Sequence, residues 1–311
     1  MINDGTINLI GKSSTGIYTN YGTITNNGLL SVTGQSGIGI FGENGTVISN
    51  TNTVTIGDKG VGIYGISHQN PSGTSLGKGD GKITITNSGT IQATTGTEAI
   101  GIYANNNKTG GTIGDSDINL SSGTIDVSNS VGGIGLFVNK GTVTDAGSTI
   151  TVGQNDGVGV YAVNQSGTVI NNSALSVGDG SYGFVFTGST TPSFTNNQSA
   201  TIGNNSIFVF ADSTLTADNS GILTMTGSDN IGYYLKNGGS FVNNSNIIGN
   251  SGVSNIGVYA KGANITNNAD IILGDSNLVE HTDSSGVKYK TGYSVGIYGE
   301  DATIINAAGS N

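Results

Sequence analysis

The sequence predicts an all-β solenoid, a right-handed parallel β-helix with three short strands per coil and about 11-12 coils of 23-25 residues. Three observations carry the prediction. One phrase, Gly37-Ile38-Gly39-Ile40-Phe41-Gly42, returns down the whole chain. Each period holds three short runs of β-forming residues separated by Gly, Asn and Asp. Nothing repeats with the 3.6-residue period of a helix, and Pro occurs only 2 times. Self-similarity at such a period outranks any local secondary-structure signal.

Close copies of the phrase begin at Gly60, Ala99, Gly133, Gly157, Asn255 and Ser294, with looser ones around Gly16, Gly183, Ile207 and Gly232. Most steps are 23 to 25 residues, and three are 34 or 39, which is one period plus an insertion. Within residues 37–60 the first run is Ile38 to Phe41, the second Thr46 to Ser49 closing on Asn50, and the third Thr53 to Ile56 closing on Gly57-Asp58. Runs this short, joined by tight turns, cannot form hairpins and stay in register every coil. They can pair with their equivalents one coil above and below. Crossovers between parallel strands are right-handed in nearly all cases, which sets the hand. At the parallel-strand spacing, 11 rungs make a rod roughly 50 Å long.

Alternation then assigns the core. In the first strand, Ile38 and Ile40, Val61 and Ile63, Ile100 and Ile102, and Ile134 and Leu136 are expected inside. In the second, a large apolar residue stands two before an Asn: Ile24/Asn26, Ile48/Asn50, Ile85/Asn87, Ile170/Asn172, Phe194/Asn196, Phe241/Asn243, Ile265/Asn267 and Ile304/Asn306. In the third, Val54 and Ile56, Ile150 and Val152, Leu175 and Val177, and Ile271 and Leu273 face inward. The Asn column suits a sharp corner in the left-handed region and an amide ladder between coils. A Gly column (Gly34, Gly57, Gly153, Gly178, Gly203, Gly249, Gly274) suits another corner with positive φ. Around Gly183 and Ile207 large side chains move to the position after the usual aromatic, so the core is expected to widen there.

Composition narrows the function. Charged residues are only 10%, the formal net charge is −10, and every basic residue is Lys. Without a basic surface or a guanidinium fork, nucleic acid has no footing. No run of about 18 apolar residues offers a membrane-spanning helix. The chain has no Cys, which fits export in an unfolded state. Repeat-like sequence starts directly after Met1, with no basic and apolar leader, and continues to Asn306 without a capping unit. The expectation is a single unit, residues 1-311, cut from a longer protein.

Two features could carry function. Tyr18, Phe41, Tyr64, Tyr103, Phe137, Tyr161, Tyr234, Tyr259 and Tyr298 share one position in the coil. Alternation places them outside beside bare glycines, as a platform for sugar rings or an apolar partner. The plainer reading is that the rings only cover glycine backbone, or turn inward at the corner. The second feature is three insertions, at about 66-81, 105-117 and 276-293. The first two leave the same corner on successive coils and should stand side by side. The third leaves another corner about 30 Å along the rod. Tyr64, His68, Lys78, Tyr103 and Lys108 are the expected ligand-binding residues, bordering a composite surface of the first two loops. No catalytic residue, metal site or cofactor is predicted. Carboxylates are scattered turn residues such as Asp58 and Asp179, and Glu280-His281-Asp283 lies within one loop, so a carbohydrate-active enzyme is the weaker alternative. An inert spacer is another.

The stretch Gly37 to Asn50, Gly-Ile-Gly-Ile-Phe-Gly-Glu-Asn-Gly-Thr-Val-Ile-Ser-Asn, echoed at Gly296-Ile297-Tyr298-Gly299-Glu300, resembles the passenger repeats of large fusobacterial autotransporter adhesins of the RadD type. The resemblance covers essentially the whole chain. It implies a surface-exposed, non-enzymatic β-helix, a monomer without nucleic-acid partners, carried outward by a C-terminal outer-membrane β-barrel. It also implies adhesion to bacteria or host cells through surface glycans or proteins.

Overall fold

The computed structural model describes residues 1–67, 82–106, 116–165 and 167–307. Among them, nearly every strand pairs in parallel with the strand one coil before and one coil after. The first sheet has 11 strands, from Thr15–Asn20 to Val295–Glu300. The second has 12, from Ile2–Asn3 to Thr303–Asn306, and the third has 11, from Thr6–Leu9 to Ile271–Leu273. This is the three-sheet right-handed parallel β-helix that the repeat predicts. Ile40, Ile63 and Ile102 are fully buried and stacked in register, and Val54 and Ile56 on a strand of the third sheet are fully buried too.

The first strand departs from simple alternation. Ile38, Val61, Ile100 and Ile134 are half-buried, not core, while Gly39, Gly62, Gly101 and Gly135 are buried. A Cβ on Gly39 would lie 2.6 Å from Val54 Cγ1 and 2.5 Å from the Gly62 carbonyl oxygen. The glycine and the following Ile therefore both face inward, and the pairing register steps over the glycine, from Ile38↔Val61 to Ile40↔Ile63. The core has depth for one side chain there, so its neighbour carries none.

The second strand holds the amide ladder. Asn3, Asn26, Asn50 and Asn87 are linked by Nδ2–H···Oδ1 bonds of 2.7–2.8 Å, each amide donating to the next coil. A second run joins Asn171, Asn196, Asn219, Asn243, Asn267 and Asn306 at 2.7–2.9 Å. Asn171, not Asn172, belongs to it, and Val169, not Ile170, fills the core. The register Val169↔Phe194 and Asn171↔Asn196 fixes this. With two apolar residues followed by two asparagines, alternation has two frames, and only pairing selects one. None of these ladder residues has positive φ, so the column exists for the hydrogen bonds and not for a left-handed corner.

Between the two runs stand Leu120 and Asp145. The Asp145 carboxylate is buried and accepts hydrogen bonds from the Ser148 amide (3.0 Å), Ser148 Oγ (2.7 Å) and Ser173 Oγ (2.5 Å). A carboxylate cannot donate onward, and Leu offers nothing, so the ladder stops and restarts.

The expected positive φ at Gly34, Gly57, Gly153, Gly178, Gly203, Gly249 and Gly274 is also absent. Several of them are needed for closeness: a Cβ on Gly34 would meet the Gly11 carbonyl oxygen at 1.9 Å, and one on Gly57 the Thr33 oxygen at 2.1 Å. After Gly34, Gly57, Gly153, Gly178 and Gly203 the left-handed residue comes two positions later, at Ser36, Lys59, Asn155, Gly180 and Asn205.

In the middle of the rod the core turns aromatic. Phe184, Phe186, Phe194, Phe208, Tyr233 and Phe241 are fully buried, with ring centroids 4.3–5.6 Å apart along the chain of contacts. Phe186 does follow the usual aromatic position, but Phe208 occupies the glycine column. Opposite, Ala200 stands where neighbouring coils have Leu175 and Leu223. A phenyl ring replaces a hydrogen on one wall, and a methyl replaces isobutyl on the other.

Three stability measurements check these columns. Asn50→Ala should cost on the order of 1–3 kcal/mol in equilibrium unfolding, since it strands the Asn26 donor and the Asn87 acceptor. Ile63→Asp should abolish local order, because a charge would enter a core column with no counter-ion. Phe208→Gly alone should cost about 3–5 kcal/mol, and adding Ala200→Leu should recover much of it in a double-mutant cycle. Equal losses with and without Ala200→Leu would refute the volume exchange.

Candidate ligand-binding face

The outer face of the first sheet carries two adjacent apolar columns. One is Ile38, Val61, Ile100, Ile134, Val158, Tyr182, Ile207, Ile231, Ile256 and Val295. The other is the ring column. Tyr64, Tyr103 and Tyr161 are half-buried on that face, as alternation around the rings requires. The glycines beside them point the other way, into the core, so the rings are flanked by aliphatic side chains, not bare backbone.

The rings touch in sequence. Tyr18, Phe41, Tyr64, Tyr103, Phe137 and Tyr161 have successive centroid separations of 5.2, 5.0, 4.7, 4.6 and 5.6 Å. Tyr64, Tyr103 and Phe137 stack with interplanar angles of 2° and 6°. Val185 interrupts the column, and Phe210, Tyr234, Tyr259 and Tyr298 resume it at 5.4, 4.6 and 5.0 Å. Asn105 Nδ2 donates to Tyr103 Oη at 2.9 Å, fixing that phenol at the foot of the second insertion.

All three insertions border this face. The first two rise where the first sheet passes to the second. Their entry strands Val61–Ser67 and Ile100–Asn106 pair in register, as do their exits at Thr84↔Asp117. They therefore leave the same corner on successive coils, after Ser67 and Asn106 and not directly after the rings. Of the expected site residues, Tyr64 and Tyr103 are brought together. His68, Lys78 and Lys108 lie outside the described residues.

The third insertion rises at the other edge, where the third sheet passes to the first. It forms an antiparallel hairpin, Val279–Thr282 with Lys288–Thr291. Its polar groups build the hairpin. Lys288 Nζ pairs with Glu280 at 2.8 Å, His281 Nε2 shares a hydrogen bond with Thr291 Oγ1 and stacks on Tyr289, and Asp283 accepts the Ser285 and Val287 amides across the turn. The sequence triplet Glu280-His281-Asp283 is thus divided among three separate partners. Among the described residues, no three His, Cys, Asp or Glu side chains cluster closely enough to hold a metal ion.

Beside the hairpin lies a groove of about 420 Å³. Ile231, Ile256, Val295, Tyr259 and Tyr298 of the outer face line it, with Tyr293, Lys290 and Thr291 from the insertion and Asp229 and Asn230 from a neighbouring turn. Ser254 Oγ ties the insertion down, donating to the Gly292 carbonyl and accepting the Asn277 amide. The sequence expectation places a composite surface beside the first two insertions, whereas this groove lies beside the third. Tyr293 at the exit of the third insertion, five residues before the ring-column Tyr298, was the available signal.

No family model matches the sequence, no curated protein matches it, and no solved structure matches it.

Electrostatics on the face is local. Tyr18 Oη donates to Glu43 at 2.7 Å, and that bond holds the phenol above its ordinary pKa. Tyr64 is also raised, first by burial and then by the Tyr103 phenol. Glu300, paired with Lys261 Nζ at 2.6 Å, is held below the usual carboxylate range. In the core, burial and then the charge of Asp218 push Tyr233 well up, and its hydroxyl donates to Asn219 Oδ1 at 2.9 Å. A raised phenol means that the folded state retains its proton. The associated stability is complete below the ordinary tyrosine pKa of about 10 and is lost as pH climbs through the folded value. An ultraviolet titration should therefore show Tyr18, Tyr64 and Tyr259 ionising above the ordinary tyrosine range, and Tyr233 last or only on unfolding. Glu43→Gln should bring Tyr18 forward, and an unchanged profile would contradict the pairing.

Proposed function

We propose that this chain is a length of the surface-exposed passenger of a type V autotransporter adhesin, a non-enzymatic rod that mediates attachment to other bacteria or to host cells. The observation that carries the reading is the outer face of the first sheet, where two apolar columns run the length of the rod and insertions flank both long edges. Monomeric soluble proteins rarely expose a contiguous apolar surface of such extent without a partner for it. The β-helix supplies the stiffness, since every rung is clamped by hydrogen bonds to its neighbours. The repeat phrase itself resembles fusobacterial passengers of the RadD type, which adds the cell surface and a membrane-embedded β-barrel elsewhere in the full-length protein. Surface glycans and surface proteins are the two ligand classes suited to half-buried tyrosines.

The test is attachment of beads coated with the chain to bacterial and epithelial cells. The wild-type rod should bind, and replacing Tyr64, Tyr103 and Tyr161 together by Ser should reduce binding several-fold without loss of β-structure in circular dichroism. A rod that binds no cell type would make it a spacer. Undiminished binding by the triple variant would exclude that part of the ring column from the contact.

A further inference from the structure

The structure assigns a second, sharper role to the groove beside the hairpin: we propose that it is a subsite for a neutral pyranose. The inference rests on the adhesive reading above and names a ligand for one place on the same face. A pyranose has an apolar face of axial C–H groups and a rim of hydroxyls, and each side of the groove answers one of these. Tyr259 and Tyr298 stack at 5.0 Å and 17° and present ring surface, with Tyr298 46% and Tyr293 48% exposed. Tyr293 enters from the insertion, so the groove offers aromatic surface from the insertion as well as from the ring column.

The rim is polar and unclaimed. Lys290 makes no ion pair among the described residues, because Glu280, its partner across the hairpin, is held by Lys288. The Asp229 carboxylate likewise has no hydrogen bond or ion pair among the described residues, and its backbone is held in the left-handed region at φ 58°. Vicinal hydroxyls both donate to carboxylates and accept from ammonium groups. One carboxylate and one ammonium on the same rim balance in charge, which favours an uncharged ligand: a uronic or sialic acid would face Asp229, and a cationic sugar would face Lys290. The volume of about 420 Å³ falls within the ~300–1,000 Å³ common for small-ligand clefts.

The groove also has a fixed shape before any ligand arrives. Ser254 clamps Gly292 and Asn277, and Ser294 Oγ donates to the Asp275 carbonyl, so both feet of the insertion are tied to the rod. A preformed cleft avoids the ordering cost that a loose loop would impose.

The experiment uses the 311-residue chain and the methyl glycosides of glucose, galactose, mannose and N-acetylglucosamine, with sialic acid and glucuronic acid alongside. Saturation-transfer NMR reports contact, and tyrosine fluorescence, with no Trp to mask it, gives affinity. At least one neutral glycoside should bind in the millimolar range, with saturation strongest on its ring C–H protons. Tyr293→Ala and Lys290→Met, both at exposed positions, should each weaken it, the former by about tenfold, the equivalent of ~1.4 kcal/mol. Gln92→Ala, at an exposed position on the third sheet, should leave it unchanged. Binding by none of the neutral glycosides, binding confined to the two acids, or binding indifferent to Tyr293→Ala and Lys290→Met would each overturn the proposal. Bead attachment to cells is measured on the same variants. Attachment that survives when the sugar arm fails removes the groove and leaves the adhesive reading standing; loss of both removes both.

Discussion

Each backbone segment of this protein finds its hydrogen-bond partners in the coil above and the coil below, and that constraint shapes everything else. A residue is therefore stacked, about 4.8 Å apart, on the residues holding the same place in neighbouring coils. Columns of like side chains follow, because a side chain must tolerate a copy of itself as its nearest contact. Aliphatic residues tolerate this by packing, rings by stacking or tilting, and amides by donating to the next amide. The two asparagine runs show the last case at its most ordered, since every Nδ2 donates in the same direction along the rod. Aligned amides polarise one another, so the run strengthens as it lengthens.

The same constraint explains what the sequence reveals. Period, sheet number, strand positions and the insertion corners are all readable because a column repeats its message up to a dozen times. Ile40, Ile63 and Ile102 could be placed in the core from alternation and stacking alone. What alternation could not supply is the point where a strand stops alternating. Gly39 and Ile40 both face inward because the backbone kinks at a shallow part of the core, and nothing in a Gly-Ile-Gly-Ile phrase distinguishes that from a straight strand. The Ile170 error has a similar origin, two equivalent frames separated only by pairing. The glycine corners were misread for a different reason: a glycine needed for close approach of backbones looks like one needed for positive φ.

Departures from a column are informative because each needs a compensation nearby. Phe208 in the glycine column is matched by Ala200 across the core, and Phe194 and Phe241 flank Ala217 in the second strand. Alanines opposite and between the rings thus take up part of the added volume, which is how a close-packed interior accepts large rings. Leu120 and Asp145 are a departure of another kind. They divide the amide ladder in two, and the buried carboxylate draws its hydrogen bonds from Ser148 of its own coil and the Ser173 hydroxyl of the next, not from a side-chain amide. Cooperativity carried by the ladder ends there, so the two halves of the rod are joined at that level by sheet hydrogen bonds, apolar packing and shorter side-chain links such as Asn139 Nδ2 to Asn105 Oδ1.

The outside of the first sheet escapes the demand for a filled interior, and there the columns are free to serve something other than the fold. Half-burial suits that use, since each ring is held by its neighbours on two sides and open on the third. Tyr64, Tyr103 and Phe137 stack nearly parallel, while Phe41 meets Tyr64 at 85° and Tyr161 meets Phe137 at 80°, so the face alternates between flat and edge-on surface. A flat, rigid, mildly apolar strip binds many things weakly. Specificity has to come from the insertions along its edges, where loops hold polar groups against the rings. The hairpin at the third insertion shows how this works: it brings a lysine and a tyrosine to a strip that offers neither a charge nor a wall of its own. The rod sets distance and orientation, and the loops decide what is recognised.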